Sequence, residues 1–80
     1  MNPTESAILG FFDIYRAGPG QMVFFQPGAC KLPVERFKAG MESLIERQLV
    51  VKERPKHAYS LTHRGYQHSL AKSLAATGNR

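Results

Sequence analysis

Eighty residues, 42% of them hydrophobic and 21% charged, describe one small domain over residues 1–80 with a single core, and argue against global disorder. No apolar run reaches the roughly 20 residues a membrane helix needs, and the start MNPTES has neither the basic residue nor the apolar core of a signal peptide. The expectation is a cytoplasmic protein with no membrane partner. Cys30 is the single cysteine, which excludes an internal disulfide framework, and no CxxC or HxxxH spacing argues for a metal; no cofactor is expected.

Asn2 is placed to cap a helix that starts at Pro3, with Glu5 able to bond back to the cap amide. Ala7, Ile8, Phe11, Phe12 and Tyr15 then recur at helical spacing, a core stripe through about residue 16, and Gly18-Pro19-Gly20 stops the helix. Met22-Val23-Phe24-Phe25 is rich in strand-forming residues and predicts a buried strand. Gln26 to Lys31 carries a Pro-Gly turn and little periodicity, so it reads as a loop with Cys30 half-buried in it.

Pro33 suits a first helical position, and Val34, Phe37, Met41, Leu44, Ile45 and Gln48 share one face of a helix over about residues 33–48. Stepping 100° per residue sets Arg36, Gly40, Ser43 and Arg47 on part of the outward face. Glu35, Glu42 and Glu46 form an acidic edge beside them, with Ala39 between the two strips. A mid-helix Gly40 costs about 1 kcal/mol relative to alanine. Its presence points to a close approach to the backbone, by a DNA major groove or by another protein element, and an ordinary solvated face with alternating charges is the alternative of equal weight.

After Leu44 and Ile45 the apolar spacing changes from helical to near alternation at Leu49, Val51, Tyr59 and Leu61. This predicts a hairpin with strands at about residues 50–54 and 57–61, its tip formed by Lys52, Glu53, Arg54, Pro55, Lys56 and His57. Thr62 is then a cap for a helix to about residue 76 with Tyr66, Leu70 and Leu74 on one stripe, and residues 77–80 fray off its end. The net charge of +5 lies in this half. Residues 1–49 balance their charges, whereas 50–80 set Lys52, Arg54, Lys56, Arg64, Lys72 and Arg80 against Glu53 alone. A confined basic excess is the electrostatic footprint of a nucleic-acid binder, and a solvated basic surface is the plainer alternative.

The order helix, Leu49-Val50, hairpin, Tyr59-Ser60-Leu61-Thr62-His63-Arg64-Gly65 resembles the recognition helix and wing of winged helix-turn-helix DNA-binding domains. The resemblance covers roughly the second half of the chain. It implies an α+β winged-helix fold of three helices and a short antiparallel sheet. The first half departs from the family: between Pro19 and Pro33 there is no room for a strand and a second helix of ordinary length.

The resemblance implies a small transcriptional regulator that binds double-stranded DNA. Helix 33–48 would enter the major groove with Arg36, Ala39, Gly40, Ser43 and Arg47. Lys52, Arg54, Lys56 and His57 would meet the backbone or minor groove, and Lys31 and Arg64 the phosphates. The alternative is a winged-helix protein-interaction module. Its small-residue face would seat a partner element and its basic hairpin would meet an acidic protein. A homodimer would pair through Tyr66, Leu70 and Leu74, with exposed parts of the first helix such as Phe12. Enzyme activity is not expected: His57, His63 and His68 are the only general-base candidates, the acidic residues lie mainly on exposed helix positions, and there is no Gly-rich phosphate loop, nucleophile elbow or acidic metal cluster.

Overall fold

The Asn2 side chain accepts the Glu5 amide at 2.8 Å while the Glu5 carboxylate accepts the Asn2 amide at 3.2 Å, and this reciprocal capping box opens helix α1 (Pro3–Ile14). A computed structural model of the chain describes residues 2–69. The end of α1 is set by backbone rather than by glycine. Arg16 takes a left-handed φ of 52°, its amide bonds the Asp13 carbonyl at 2.9 Å and the Ala17 amide bonds that of Phe12 at 3.1 Å. This is the doubly bonded Schellman ending, and it stops the helix ahead of Gly18-Pro19-Gly20.

Strand β1 (Met22–Phe24) pairs antiparallel with β3 (Ala58–Leu61), which pairs on its other side with β2 (Val50–Lys52), giving the sheet order β1-β3-β2. The predicted strand therefore joins the hairpin as a third strand, but it is not buried. Val23 and Phe25 point into the core, while Met22 and Phe24 are each 47% exposed. The reason is position: β1 is an edge strand, and on its outward side Met22, Phe24 and Val51 surround the small Ala58 and Ser60 without a covering layer among the described residues.

Phe25 sits at the middle of the core. Its ring centroid lies 4.7 Å from Phe11, 5.0 Å from Phe12, 5.6 Å from Tyr59 and 5.8 Å from Phe37, in tilted or edge-on arrangements that aromatic quadrupoles favour. One residue thus ties α1, the sheet and the next helix. The chain then turns sharply at Gly28 (φ 87°) and through one 3-10 turn (Ala29–Lys31) in which Cys30 and Lys31 are left-handed. That turn is all that stands between the sheet and the next helix, and Cys30 is half-buried there as expected, its thiol pushed up by burial.

Helix α2 (Val34–Glu46) buries Met41 and Leu44 against this core. It also ends in a Schellman arrangement: Gln48 is left-handed (φ 62°), its amide bonds Ile45 and the Leu49 amide bonds Leu44, each at 2.9 Å. Gln48 is thereby exposed and outside the helix, a correction to its expected place on the apolar face, and Val34 is 68% exposed rather than buried.

The Thr62-x-x-Gly65 segment closes the fold. The Thr62 hydroxyl donates to the Gln48 carbonyl at 2.7 Å and accepts the Gly65 amide at 2.9 Å, so the expected cap also staples the last helix (residues 63–69 within the described chain) to the end of α2. A β-carbon at Gly65 would lie 1.9 Å from the Leu49 carbonyl oxygen. Gly65→Ala is therefore expected to destabilise the domain by about 3 kcal/mol or more. Gln48→Gly, which relieves a left-handed side chain, should stabilise it by about 0.5–1 kcal/mol. Urea denaturation followed by far-UV circular dichroism measures both, and opposite signs are the expected result.

Candidate nucleic-acid interface

Around α2 the side chains fall into distinct strips. Gly40, Ser43 and Arg47, expected to face outward, lie instead against α1. The missing side chain of Gly40 admits α1 so closely that a β-carbon there would sit 2.6 Å from the Thr4 methyl and 3.2 Å from the Ile8 terminal methyl. The close approach implied by a mid-helix glycine comes from the chain's own first helix. Ser43 donates its hydroxyl to Glu5 Oε2 at 2.5 Å, and Arg47 Nη1 lies 3.3 Å from Glu5 Oε1. Gly40 and Ser43 are thus withdrawn from any major groove, and Arg47, though 43% exposed at its side chain, is paired.

Glu5 is the residue that sequence reading under-used. It was legible as a cap, but its second job, accepting from α2, depends on how the helices cross. The carboxylate is 3% exposed. Its pKa is held below the usual carboxylate range, first by the Ser43 hydroxyl, against the opposing effect of burial, and then by the Asn2 amide and the Arg47 charge.

Outward on α2, away from the core, Glu35, Ala39, Glu42 and Glu46 are all exposed, with the exposed Lys38 one turn before Glu42. Arg36 is exposed as well, between this strip and the α1-facing side. The helix surface most available to a duplex is therefore acidic, which repels phosphate.

The hairpin tip is different. The Glu53 amide bonds the Ala58 carbonyl at 2.9 Å and the Ala58 amide bonds that of Pro55 at 3.1 Å, closing a tight turn in which His57 is left-handed (φ 67°). The Ser60 hydroxyl donates to the Glu53 carboxylate at 2.5 Å, which turns the one acid of the tip toward the sheet. Lys52 curls over the loop, its Nζ 2.6 Å from the Glu53 carbonyl, 3.0 Å from that of Pro55 and 5.2 Å from the Tyr59 ring centre. Arg54 and Lys56 are exposed, and among the described residues neither forms a hydrogen bond or ion pair. Arg64 and His63 share a shallow depression with Lys52 beside the start of the last helix, whereas Lys31 stands apart on the 3-10 turn.

The expected dimer surface is also altered. Phe12 is fully buried, a correction to its expected exposure, because it packs on Phe25. Tyr66 is partly buried against the chain's own core, and Leu70 and Leu74 lie outside the described residues. On the far side of α2 the fold opens a groove of about 440 Å³ between that helix, the 26–32 loop and the hairpin. The sequence signal for it was an α2 apolar stripe wider than one core could cover, ending at Val34 and Ile45. Among the described residues no helix is long and apolar enough to cross a membrane, and no cluster of three or more metal-ligating side chains forms. No family model, curated protein or solved structure matches the chain.

The Glu5 pair generates the test of this geometry. Glu5→Gln should cost about 2–4 kcal/mol at neutral pH, because it removes a hydrogen-bonded charge and leaves donors of α2 under-satisfied. A carboxylate with a lowered folded-state pKa contributes stability that is present above about pH 4.3, the ordinary glutamate value, and is lost as pH falls through the lower folded value. Urea midpoints measured between pH 7 and pH 2 should therefore fall less steeply at the acid end in Glu5→Gln than in the parent chain.

Proposed function

We propose that this chain is a winged-helix domain that binds double-stranded DNA chiefly through its hairpin, as a backbone-contacting wing, in a small transcriptional regulator. The observation that carries the reading is the tip itself. Arg54 and Lys56 stand exposed on a tightly hydrogen-bonded turn, with Lys52 and His57 behind them and Glu53 turned away. Cations held in this way release counterions on meeting phosphate, the main source of sequence-independent affinity. Arg64, at the start of the last helix and beside Lys52, extends the surface. Base reading by α2 is a lesser part of the proposal, since its α1-facing strip is occupied and its outward strip is acidic. Of the residues assigned to it, Arg36 and Ala39 remain exposed, and Arg47 is exposed but paired with Glu5.

A second reading, a protein-interaction module, is favoured by one observation: Glu35, Glu42 and Glu46 line an exposed helix strip where a reading helix would meet phosphate. In that case the basic hairpin meets an acidic partner, and the complex survives nuclease treatment of a lysate.

Fluorescence anisotropy with mixed-sequence duplex DNA tests the first reading. Binding should be measurable at about 50 mM salt and fall steeply with salt. The double variant Arg54→Ala, Lys56→Ala should weaken every duplex alike and reduce the salt slope by about two. Arg36→Ala should leave the ranking of sequences unchanged; a changed ranking would return α2 to the groove. Absence of binding at about 50 mM salt overturns the proposal.

A further inference from the structure

The groove beside α2 has the volume of a small-molecule site: about 440 Å³ against roughly 300–1,000 Å³ for such pockets. Phe25, Phe37, Met41 and Tyr59 make its apolar depth. These four sit at or against the core, so the walls are held by the same packing that holds the fold. At the edge, Val34 and Ile45 leave apolar surface in water. The space exists because a single 3-10 turn, not a helix, joins β1 to α2.

The mouth has a sign. Lys38 reaches it from α2, Lys52 and His57 from the hairpin, and Glu42 is the one carboxylate among the lining residues. Lys52 is not a loose surface amine. Two loop carbonyls and the Tyr59 ring hold its ammonium against the hairpin wall. A fixed cation at the rim of an apolar cleft is preorganised for an anion, since little side-chain freedom is left to lose on binding.

We propose that this groove binds a small amphiphilic carboxylate, a medium-chain or aromatic acid, with its apolar body between Phe37, Met41 and Tyr59 and its carboxylate at Lys38 and Lys52. The site needs no nucleic acid, and its test is independent of the DNA-binding reading.

The experiment titrates the isotope-labelled full chain with sodium octanoate, and with 1-octanol and octylammonium as neutral and cationic probes of matched length. Saturable shifts of the Phe37, Met41 and Tyr59 amides by octanoate are expected, with the other two probes weaker by about tenfold or more. Val34→Asp places a carboxylate at the groove edge. It also suits the first turn of α2, where a negative charge is favourable, so the variant folds. Octanoate should bind it about tenfold more weakly.

No saturable shift overturns the proposal and leaves the groove to a macromolecular segment. Equal affinity for the three probes, or shifts confined to Arg54 and Lys56, overturns the anion selectivity on which it stands. Shifts of the same lining residues with protein concentration alone assign the groove to a second copy of the chain.

Discussion

One buried carboxylate determines how this small domain is assembled. Glu5 begins as a local device, the third residue of a capping box, a role that contributes about 1 kcal/mol. Its two oxygens then accept the Asn2 amide, the Ser43 hydroxyl and an Arg47 nitrogen, so the N-terminus of one helix is bonded to the C-terminal turn of another. Burying a carboxylate is costly unless it is fully hydrogen-bonded. Here the donors outweigh burial, and the pKa of Glu5 is held below the usual carboxylate value. The crossing point needs a gap as well as a bond, and Gly40 provides it by letting Thr4 and Ile8 approach the backbone of α2.

That crossing decides which surfaces are left for function. With α1 seated on Gly40, Ser43 and Arg47, the outward surface of α2 is a strip of glutamates flanked by the exposed Arg36 and Lys38. The positive charge is then spatially as well as sequentially segregated, concentrated on the hairpin tip and the start of the last helix. A duplex approaching this molecule meets attraction at Arg54 and Lys56 and repulsion along Glu35, Glu42 and Glu46. On the proposed reading, the hairpin is the stronger anchor for a polyanion. The acidic strip works against any mode that lays α2 deep in a groove.

The short connection between β1 and α2 has a consequence of its own. Gly28, Cys30 and Lys31 each adopt a left-handed backbone, which lets the chain reverse within a few residues. Among the described residues nothing fills the space a longer element would have taken, and the apolar edge of α2 at Val34 and Ile45 is exposed. The aromatic set around Phe25 closes the core from the other side, so the opening is a groove on a packed floor rather than a defect in the core.

Much of this was legible in the linear order of residues, and the reason is that it is local. The capping box at Asn2 and Glu5, the alternation that sets the hairpin, the Thr62 cap and the third strand at Met22–Phe24 all follow from spacing within a few residues. The confined basic charge is equally a property of sequence. Other features depended on which element lies next to which. Whether Gly40 and Ser43 faced solvent or a helix, whether Phe12 was core or surface, and what Gly65 was for required the positions of Thr4, Phe25 and the Leu49 carbonyl. Helical periodicity names the faces of a helix but not their neighbours, because the partner of each face is chosen by packing over the whole chain. The Glu5–Ser43 bond, spanning 38 residues, is one such long-range contact.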